Sequence, residues 1–219
     1  MRAVIIGNGT IGNYDRILKY IHKDDFIICA DGGIRHAVNM EIVPDLIIGD
    51  FDSSDVTEYE VKRIEYPVRK DFTDGEICVK YAVEHGYNDV LMLGMTGSRM
   101  DHTLADIFLL PQCNGCMIDD NNEIYYIKNM IEIYNKKGMT LSIIPVKGDL
   151  CGIVTKGLDY PLNNETLYFG ESRGNSNVII DDYCKITAKG GEGIIIINTG
   201  EWWFMIYLDN AATTKPSKA

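Results

Sequence analysis

The chain has no long greasy stretch. Its apolar runs, such as residues 194–197, are far too short to span a bilayer. The first nine residues, MRAVIIGNG, hold one basic residue and a brief apolar run, which does not make a signal peptide, so a cytoplasmic location is expected. Basic charge is also scarce: 21 Lys and Arg stand against 32 Asp and Glu, a net charge of -11 over 219 residues, which argues against a nucleic-acid surface. Such a balance suits a cation, or a phosphate ligand carried by one. There is no GxxxxGK[ST], which excludes a P-loop enzyme. Cys113 and Cys116 form a lone CxxC with no second Cys or His pair near it, so zinc is not expected. The six cysteines are scattered, several in apolar runs, as reduced buried thiols are. Low-complexity segments and internal repeats are missing too.

What remains alternates between two periodicities. Strands are expected at 3–7, 26–30, 45–49 and 89–94, and helices at 15–21, 75–86 and 100–110, the last ended by Pro111. That alternation predicts an α/β N-terminal domain with a mostly parallel, Rossmann-like sheet. After about residue 121 the texture becomes β-rich, with short runs broken by Asn, Lys-Gly and Pro. An all-β C-terminal sandwich is the expected fold there. The division is placed at 1–121 and 122–203, leaving a tail, 204–219. The tail's MIYLDNAATTKP resembles the beginning of a cysteine desulfurase and is too short to build one, so it is expected to add nothing catalytic.

The acids are not spread evenly. Asp31 follows the second expected strand, Asp50 and Asp52 the third, Asp71 and Asp74 precede a helix, and Asp101 opens the helix after VLMLG. In an open parallel sheet these positions fall at the carboxyl ends of the strands, where ligands bind. Each also has a local reading. Asp31 can start a turn with Gly32 and Gly33; Thr73 and Glu76 can form a capping box around Asp74; Ser98 and Asp101 can form a similar cap. Caps of this kind are worth about 1 kcal/mol or less, whereas two unit charges about 4 Å apart repel by about 4 kcal/mol at an effective dielectric of 20. Clustering several carboxylates therefore points to a hard cation such as Mg2+, which takes oxygen ligands and bridges phosphates. In extended backbone Asp50 and Asp52 point to one side and Phe51 to the other. Arg69, Lys70 and Arg99 stand among the acids, and a guanidinium can clamp a polyphosphate in bidentate fashion.

Gly7, Gly9 and Gly12 form G-x-G-x-x-G ahead of a helix, where backbone N–H groups can cradle an anion. With Asp31 at the end of the next strand, the turn also fits a dinucleotide fingerprint, and hence an NAD(P)-dependent oxidoreductase. That reading leaves Asp50, Asp52, Asp71, Asp74 and Asp101 unexplained. His102 reads either as a partner to the phosphate acids or as a helix-face histidine. Trp202 or Trp203 can stack on a ligand ring or pack a strand end; strand neighbours cannot both face one way.

The ordered set ADGG, GDFDS, KDFTD, GMTGSRMDHTLAD, KGLDYPL and FGESRGNSN resembles the thiamine pyrophosphokinase (thiamine diphosphokinase) family over roughly residues 1–200. The resemblance implies a homodimer with active sites at the subunit interface, Mg2+, ATP as co-substrate, and the reaction of ATP with thiamine to give AMP and thiamine diphosphate. By motif it makes Asp50, Asp52, Asp71, Asp74 and Asp101 metal and phosphate acids, with Asp71, Asp74, Arg99 and Asp101 as the catalytic group. Gly7, Asn8, Gly9, Asp31, Gly32, Gly33, Asp50, Arg99 and His102 would lie along ATP. Ser172, Ser176 and Asn177 would hold thiamine, from the partner subunit. A silent nucleotide or thiamine binder is the reading from another class.

Overall fold

The computed structural model describes residues 1–50, 61–67 and 71–200. Phe51, Asp52, Arg69, Lys70, Trp202, Trp203 and the 204–219 tail lie outside the described residues, as do the expectations placed on them.

The first half runs β1 (Arg2–Ile6), α1 (Tyr14–Leu18), β2 (Phe26–Ala30), α2 (Ile34–Asn39), β3 (Leu46–Gly49), β4 (Lys62–Glu65), α3 (Asp74–Glu84), β5 (Asp89–Leu93), α4 (Met100–Ile107) and β6 (Asn114–Ile118). These strands lie in the order β4-β3-β2-β1-β5-β6, and each neighbouring pair is parallel. β1, β2, β3 and β5 are almost continuously buried because both faces are covered. On one side Ile5, Ile28 and Ile48 pack with Ile77, Cys78 and Ala82 of α3. On the other, Val4, Ile6 and Ile47 pack with Ile17 of α1 and Ile34 and Ala37 of α2. β1 lies between β2 and β5, so the chain leaves it in opposite directions and the connections open a crevice at its carboxyl end.

The second half is all-β among the described residues: β7 (Asn122–Ile127), β8 (Met130–Tyr134), β9 (Thr140–Lys156), β10 (Asn163–Leu167), β11 (Asn177–Val178), β12 (Tyr183–Thr187) and β13 (Gly190–Asn198). β7 pairs antiparallel with β6, so the sheet crosses from one half to the other without a break. The long β9 pairs with β13 along its first part and with β10 and β12 along its second. Leu141, Ile143, Leu150, Ile153, Cys184, Ile186, Ile195 and Ile197 form the core of this half. No helix among the described residues is long and apolar enough to cross a membrane.

Several local expectations change. α2 and β4 were not expected; the first is only six residues long and the second, KRIE, is a charged edge strand with no alternation to read. The helix expected to run to residue 110 ends at Ile107, and Pro111 sits in a short 3-10 turn, Leu110–Gln112. The Thr73 cap forms on one side only: Thr73 Oγ1 accepts from the Glu76 N–H at 3.1 Å, while the Glu76 carboxylate pairs with Lys80 at 2.8 Å. The Ser98–Asp101 cap does not form. Arg99 is the N-cap residue without a side-chain bond, because Asp101 turns to the Arg99 guanidinium instead. Cys113 and Cys116 are free thiols at β6.

Candidate active site

The crevice beside β1 is a cleft of about 430 Å³. Five separate stretches line it: 7–10 after β1, Ala30 and Asp31 at the end of β2, Arg35 of α2, 73–75 at the start of α3, and 94–99 after β5 with His102, Thr103 and Asp106 of α4. Asp31, Asp74, Arg99, His102, Gly7, Asn8 and Gly9 are thus brought together. Asp50, Asp71 and Asp101 are not among the lining residues, although Asp50 directly follows Gly49, whose own Cβ would lie 2.8 Å from Asp31 Cα.

The glycine turn proves to be a packed floor rather than an open anion cradle. The N–H groups of Gly7, Gly9 and Thr10 donate to the carbonyls of Leu93, Gly94 and Thr96 at 2.8, 2.6 and 2.7 Å. Those of Gly12 and Asn13 donate to the Asp120 carboxylate at 2.7 and 3.0 Å. A side-chain carboxylate from the β6–β7 turn therefore occupies the place where the dinucleotide fingerprint requires a pyrophosphate. That arrangement removes the physical basis for the oxidoreductase reading. The turn's carbonyls are held as well: Arg35 donates to those of Asn8 and Gly9, and His36 Nε2 donates to Gly9 O at 2.9 Å. His36 Nδ1 then accepts from the Tyr14 hydroxyl at 2.8 Å, and burial keeps the imidazole pKa below its ordinary value. A Cβ on Gly9 would sit 2.3 Å from Thr96 O and 2.5 Å from Gly94 O, both backbone atoms. Gly9→Ala is therefore expected to pry the β1 and β5 loops apart and lower the unfolding free energy by about 1–3 kcal/mol, measurable as a lower urea midpoint with an unchanged slope.

Asp31 carries φ 43°, a left-handed conformation uncommon for a residue with a side chain. Its Oδ1 is buried without a hydrogen-bond partner among the described residues. Backbone strain beside an unsatisfied carboxylate oxygen at a cleft is a functional signature. At the mouth, Arg99 Nε donates to Asp101 Oδ1 at 2.9 Å and its terminal nitrogen to Oδ2 at 2.5 Å. The fork-to-fork bond to Arg99 holds the Asp101 carboxyl well below the usual carboxylate range.

Sequence reasoning missed Asp106, Thr103, Thr96 and Arg35, which line the same cleft. Asp106 is the most buried of the cleft's acids at 7% exposure, and burial pushes its carboxyl up to about 6. Its signal was available: a single acid inside the otherwise apolar LADIFLL.

The 172–177 segment lies elsewhere, on β9 and β11. Gly174 accepts from the Ile143 N–H at 2.9 Å, and Ser176, at φ 59°, donates its N–H to Ser142 Oγ at 3.1 Å. The Asn177 amide is locked to Tyr160, accepting from its N–H at 3.0 Å and donating to its carbonyl at 2.7 Å. Two segments read separately in the sequence, KGLDYPL and SRGNSN, are thereby joined.

A parallel sheet with its polar cleft at the topological switch point, lined by glycine loops, acids and a guanidinium, defines an α/β protein built to hold a charged ligand at that edge. Residues 17–125 match the family model described as thiamin pyrophosphokinase, catalytic domain, and residues 128–192 that described as thiamin pyrophosphokinase, vitamin B1 binding domain. The chain belongs to the thiamine pyrophosphokinase family. A thiamine pyrophosphokinase of Bacillus subtilis (strain 168) is 29% identical over 210 residues, covering 88% of this chain and 95% of that protein. Thiamine pyrophosphokinase 1 of Oryza sativa subsp. japonica is 25% identical over 196 residues, 74% of each. The fold is similar to the crystal structure of the Bacillus subtilis thiamine pyrophosphokinase, with TM-score 0.82 at 24% identity over 91% of this chain and 99% of that one. The Geobacillus thermodenitrificans structure is similar with TM-score 0.82, again at 24% identity, over 92% and 99%.

Proposed function

We propose that the chain is an ATP:thiamine diphosphotransferase, moving a pyrophosphoryl unit from ATP to the hydroxyl of thiamine. The supporting observation is the convergence of the glycine turn, Asp31, the start of α3 and the Arg99–His102 stretch on one cleft, in a chain that both family models match. The parallel half is read as a Rossmann-like catalytic domain over 1–121 and the β-rich half as a thiamine-binding sandwich over 122–203.

The hydroxyl oxygen of thiamine attacks the β-phosphorus of ATP; the bond from that phosphorus to the α–β bridging oxygen breaks, and AMP leaves. The hydroxyl proton passes to an aspartate, Asp71 or Asp74. Such in-line transfer asks for positioning and charge neutralisation more than for covalent catalysis. Arg99 supplies a fixed fork for the phosphate oxygens, and Asp101 keeps that fork aimed until the nucleotide arrives. The cationic thiazolium is compatible with an acidic cleft.

The donor set fits Mg2+. The acids offer only oxygen ligands, and Asp31 Oδ1 is buried with no partner among the described residues. No group of three acids converges into a cage among the described residues, and Mg2+ needs none, since it is held by one or two carboxylates, water and substrate phosphates. Asp50, Asp52, Asp71, Asp74 and Asp101 are the assigned ligands and phosphate-site acids. When bound, the ion neutralises charge on the bridging and leaving oxygens.

Ser172, Ser176 and Asn177 are assigned to thiamine, contributed by a second copy across a dimer interface. This assignment favours Ser172 and Ser176, because the Asn177 amide is engaged by Tyr160. The free thiols suit a reducing, cytoplasmic setting.

The test is direct. Incubation with ATP, Mg2+ and thiamine should release AMP and thiamine diphosphate in equal amounts. ADP as the nucleotide product, or nucleotide turnover indifferent to thiamine, overturns the reading. Binding of both substrates by calorimetry without product would identify a silent binder.

A further inference from the structure

The glycine turn that floors the cleft is gripped at two ends by different halves of the chain. At its first end the Gly7, Gly9 and Thr10 N–H groups are fixed on the β5 loop, while Arg35 and His36 hold the Asn8 and Gly9 carbonyls. Beyond Thr10 the chain runs out through Gly12 to α1. There Gly12 and Asn13 both donate to the Asp120 carboxylate. A segment with glycines at 7, 9 and 12 has wide backbone freedom, so its shape depends on where its ends are held. Asp120 stands in the 119–122 turn between β6 and β7, where the β-rich half begins.

That turn is braced on every side. Asp119 Oδ1 accepts from the Asn121 and Asn122 N–H groups at 2.8 and 2.7 Å, and the Asp119 N–H donates to Asn122 O at 3.0 Å. The end of β13 is fastened to it, because Thr199 and Gly200 donate their N–H groups to Asn121 O at 2.7 and 3.2 Å. Arg16 of α1 donates to Asp119 O at 3.3 Å and to the Thr199 hydroxyl.

Stability does not account for the Asp120 contact. Both of its bonds are exposed, so water replaces them with little loss. Charge does not account for it either, since a carboxylate on Gly12, two residues from the cleft-lining Thr10, repels a polyphosphate. Geometry does. One carboxylate that takes two consecutive N–H groups fixes both the place and the direction of the outgoing arm. Gly12 is fitted to it, for a Cβ there would lie 2.7 Å from Asp120 Oδ2.

We infer that Asp120 is a positioning residue for the reaction: from the first turn of the β-rich half it holds the outgoing arm of the glycine turn, and so sets the cleft floor at residues 7–10. This rests on the proposed function.

The experiment compares the full chain with Asp120→Ala, Asp120→Asn, Gly12→Ala and Tyr20→Phe. Asp120→Ala should raise KM for ATP about tenfold, within the roughly 10²-fold that a misplacement of about 1 Å can cause, with kcat and KM for thiamine within about threefold. Loss of the negative charge alone would lower KM for ATP, so a rise reports geometry. Asp120→Asn keeps one acceptor oxygen and should stay within about threefold of the unmodified chain. Gly12→Ala displaces the carboxylate from the other side and should reproduce Asp120→Ala, which keeps the test open should that variant not fold. The thermal midpoint should stay within about 3 °C in all three. Tyr20→Phe cuts a different tie between the same halves, the bond to buried Glu123. It should lower the midpoint by about 5 °C and leave KM for ATP unchanged. Unchanged or lowered KM for ATP in both Asp120→Ala and Gly12→Ala, or an equal rise in Tyr20→Phe, overturns the inference. If the unmodified chain forms no AMP, the proposed function fails and amide hydrogen exchange decides the inference. Exchange over residues 7–13 should be about tenfold faster in Asp120→Ala and unaltered in Tyr20→Phe; equal exchange in Asp120→Ala and the unmodified chain overturns it.

Discussion

Asp74→Asn is expected to lower kcat/KM for ATP and thiamine by about 10³ or more, equivalent to about 4 kcal/mol of lost transition-state stabilisation, while the thermal midpoint stays almost unmoved. The asymmetry follows from where Asp74 stands. It is the first residue of α3 and lines the cleft. The helix start does not depend on it, since Thr73 Oγ1 caps Glu76 N–H and Glu76 pairs with Lys80. Its own contribution to the helix dipole is about 0.3–1 kcal/mol. On the proposed function its carboxylate helps hold the metal or takes the hydroxyl proton, and an amide accepts no proton and brings no charge to a metal. Asp71, on the exposed bend before the helix, is the control. If Asp71→Asn keeps activity within about tenfold while Asp74→Asn loses it, the proton acceptor is Asp74. A change confined to KM for ATP would reassign Asp74 to ground-state binding. A large fall in stability would make it structural.

Much of the sheet was legible because buried parallel strands announce themselves as short apolar runs: FIICA occupies Phe26–Ala30 as expected. Of the acids picked out in the sequence, Asp31 and Asp74 line the cleft and Asp50, Asp71 and Asp101 do not. What escaped was set by distant contacts. Asp120 reaches Gly12 across 108 residues, and nothing in DDNN says that its carboxylate will end on the glycine turn. The His36 and Arg35 grip on Gly9 comes from a helix too short for a period to show. The half-made Thr73 cap and the unmade Ser98 cap share one cause: S/T-x-x-E/D specifies a local option, and a stronger partner, Lys80 or Arg99, takes the acid. Asp106 differs from the acids at strand ends in lying within α4, where a lone carboxylate in an apolar run is the one local sign of its burial.

The largest expected effect on stability lies away from the cleft, at Glu123 of β7. Its side chain is 1% exposed and ion-paired with Lys136, and it accepts from the hydroxyls of Tyr20 at 2.7 Å and Tyr125 at 2.8 Å. Tyr20 follows α1 and Lys136 follows β8, so one carboxylate ties the parallel half of the chain to the β-rich half. Burial alone would push its carboxyl up; the Lys136, Tyr20 and Tyr125 bonds outweigh that, and its pKa lies below the ordinary 4.5. Removing it strands a mostly buried ammonium and two hydroxyls. Glu123→Ala should therefore cost about 3–5 kcal/mol, or roughly 6–20 °C in midpoint for a chain of this size. Lys136→Met in the same background should recover much of it, because the uncompensated charge goes with it. The pH dependence has a definite sign. A carboxyl whose folded pKa is depressed contributes fully above its unfolded value and loses that contribution as pH falls through the folded one. The stability gap between the unmodified chain and Glu123→Gln should thus be constant above about pH 5 and narrow below about pH 4.5. A gap that is flat across that range would mean the carboxylate contributes by packing, with its charge bearing no part of the tie between the two halves.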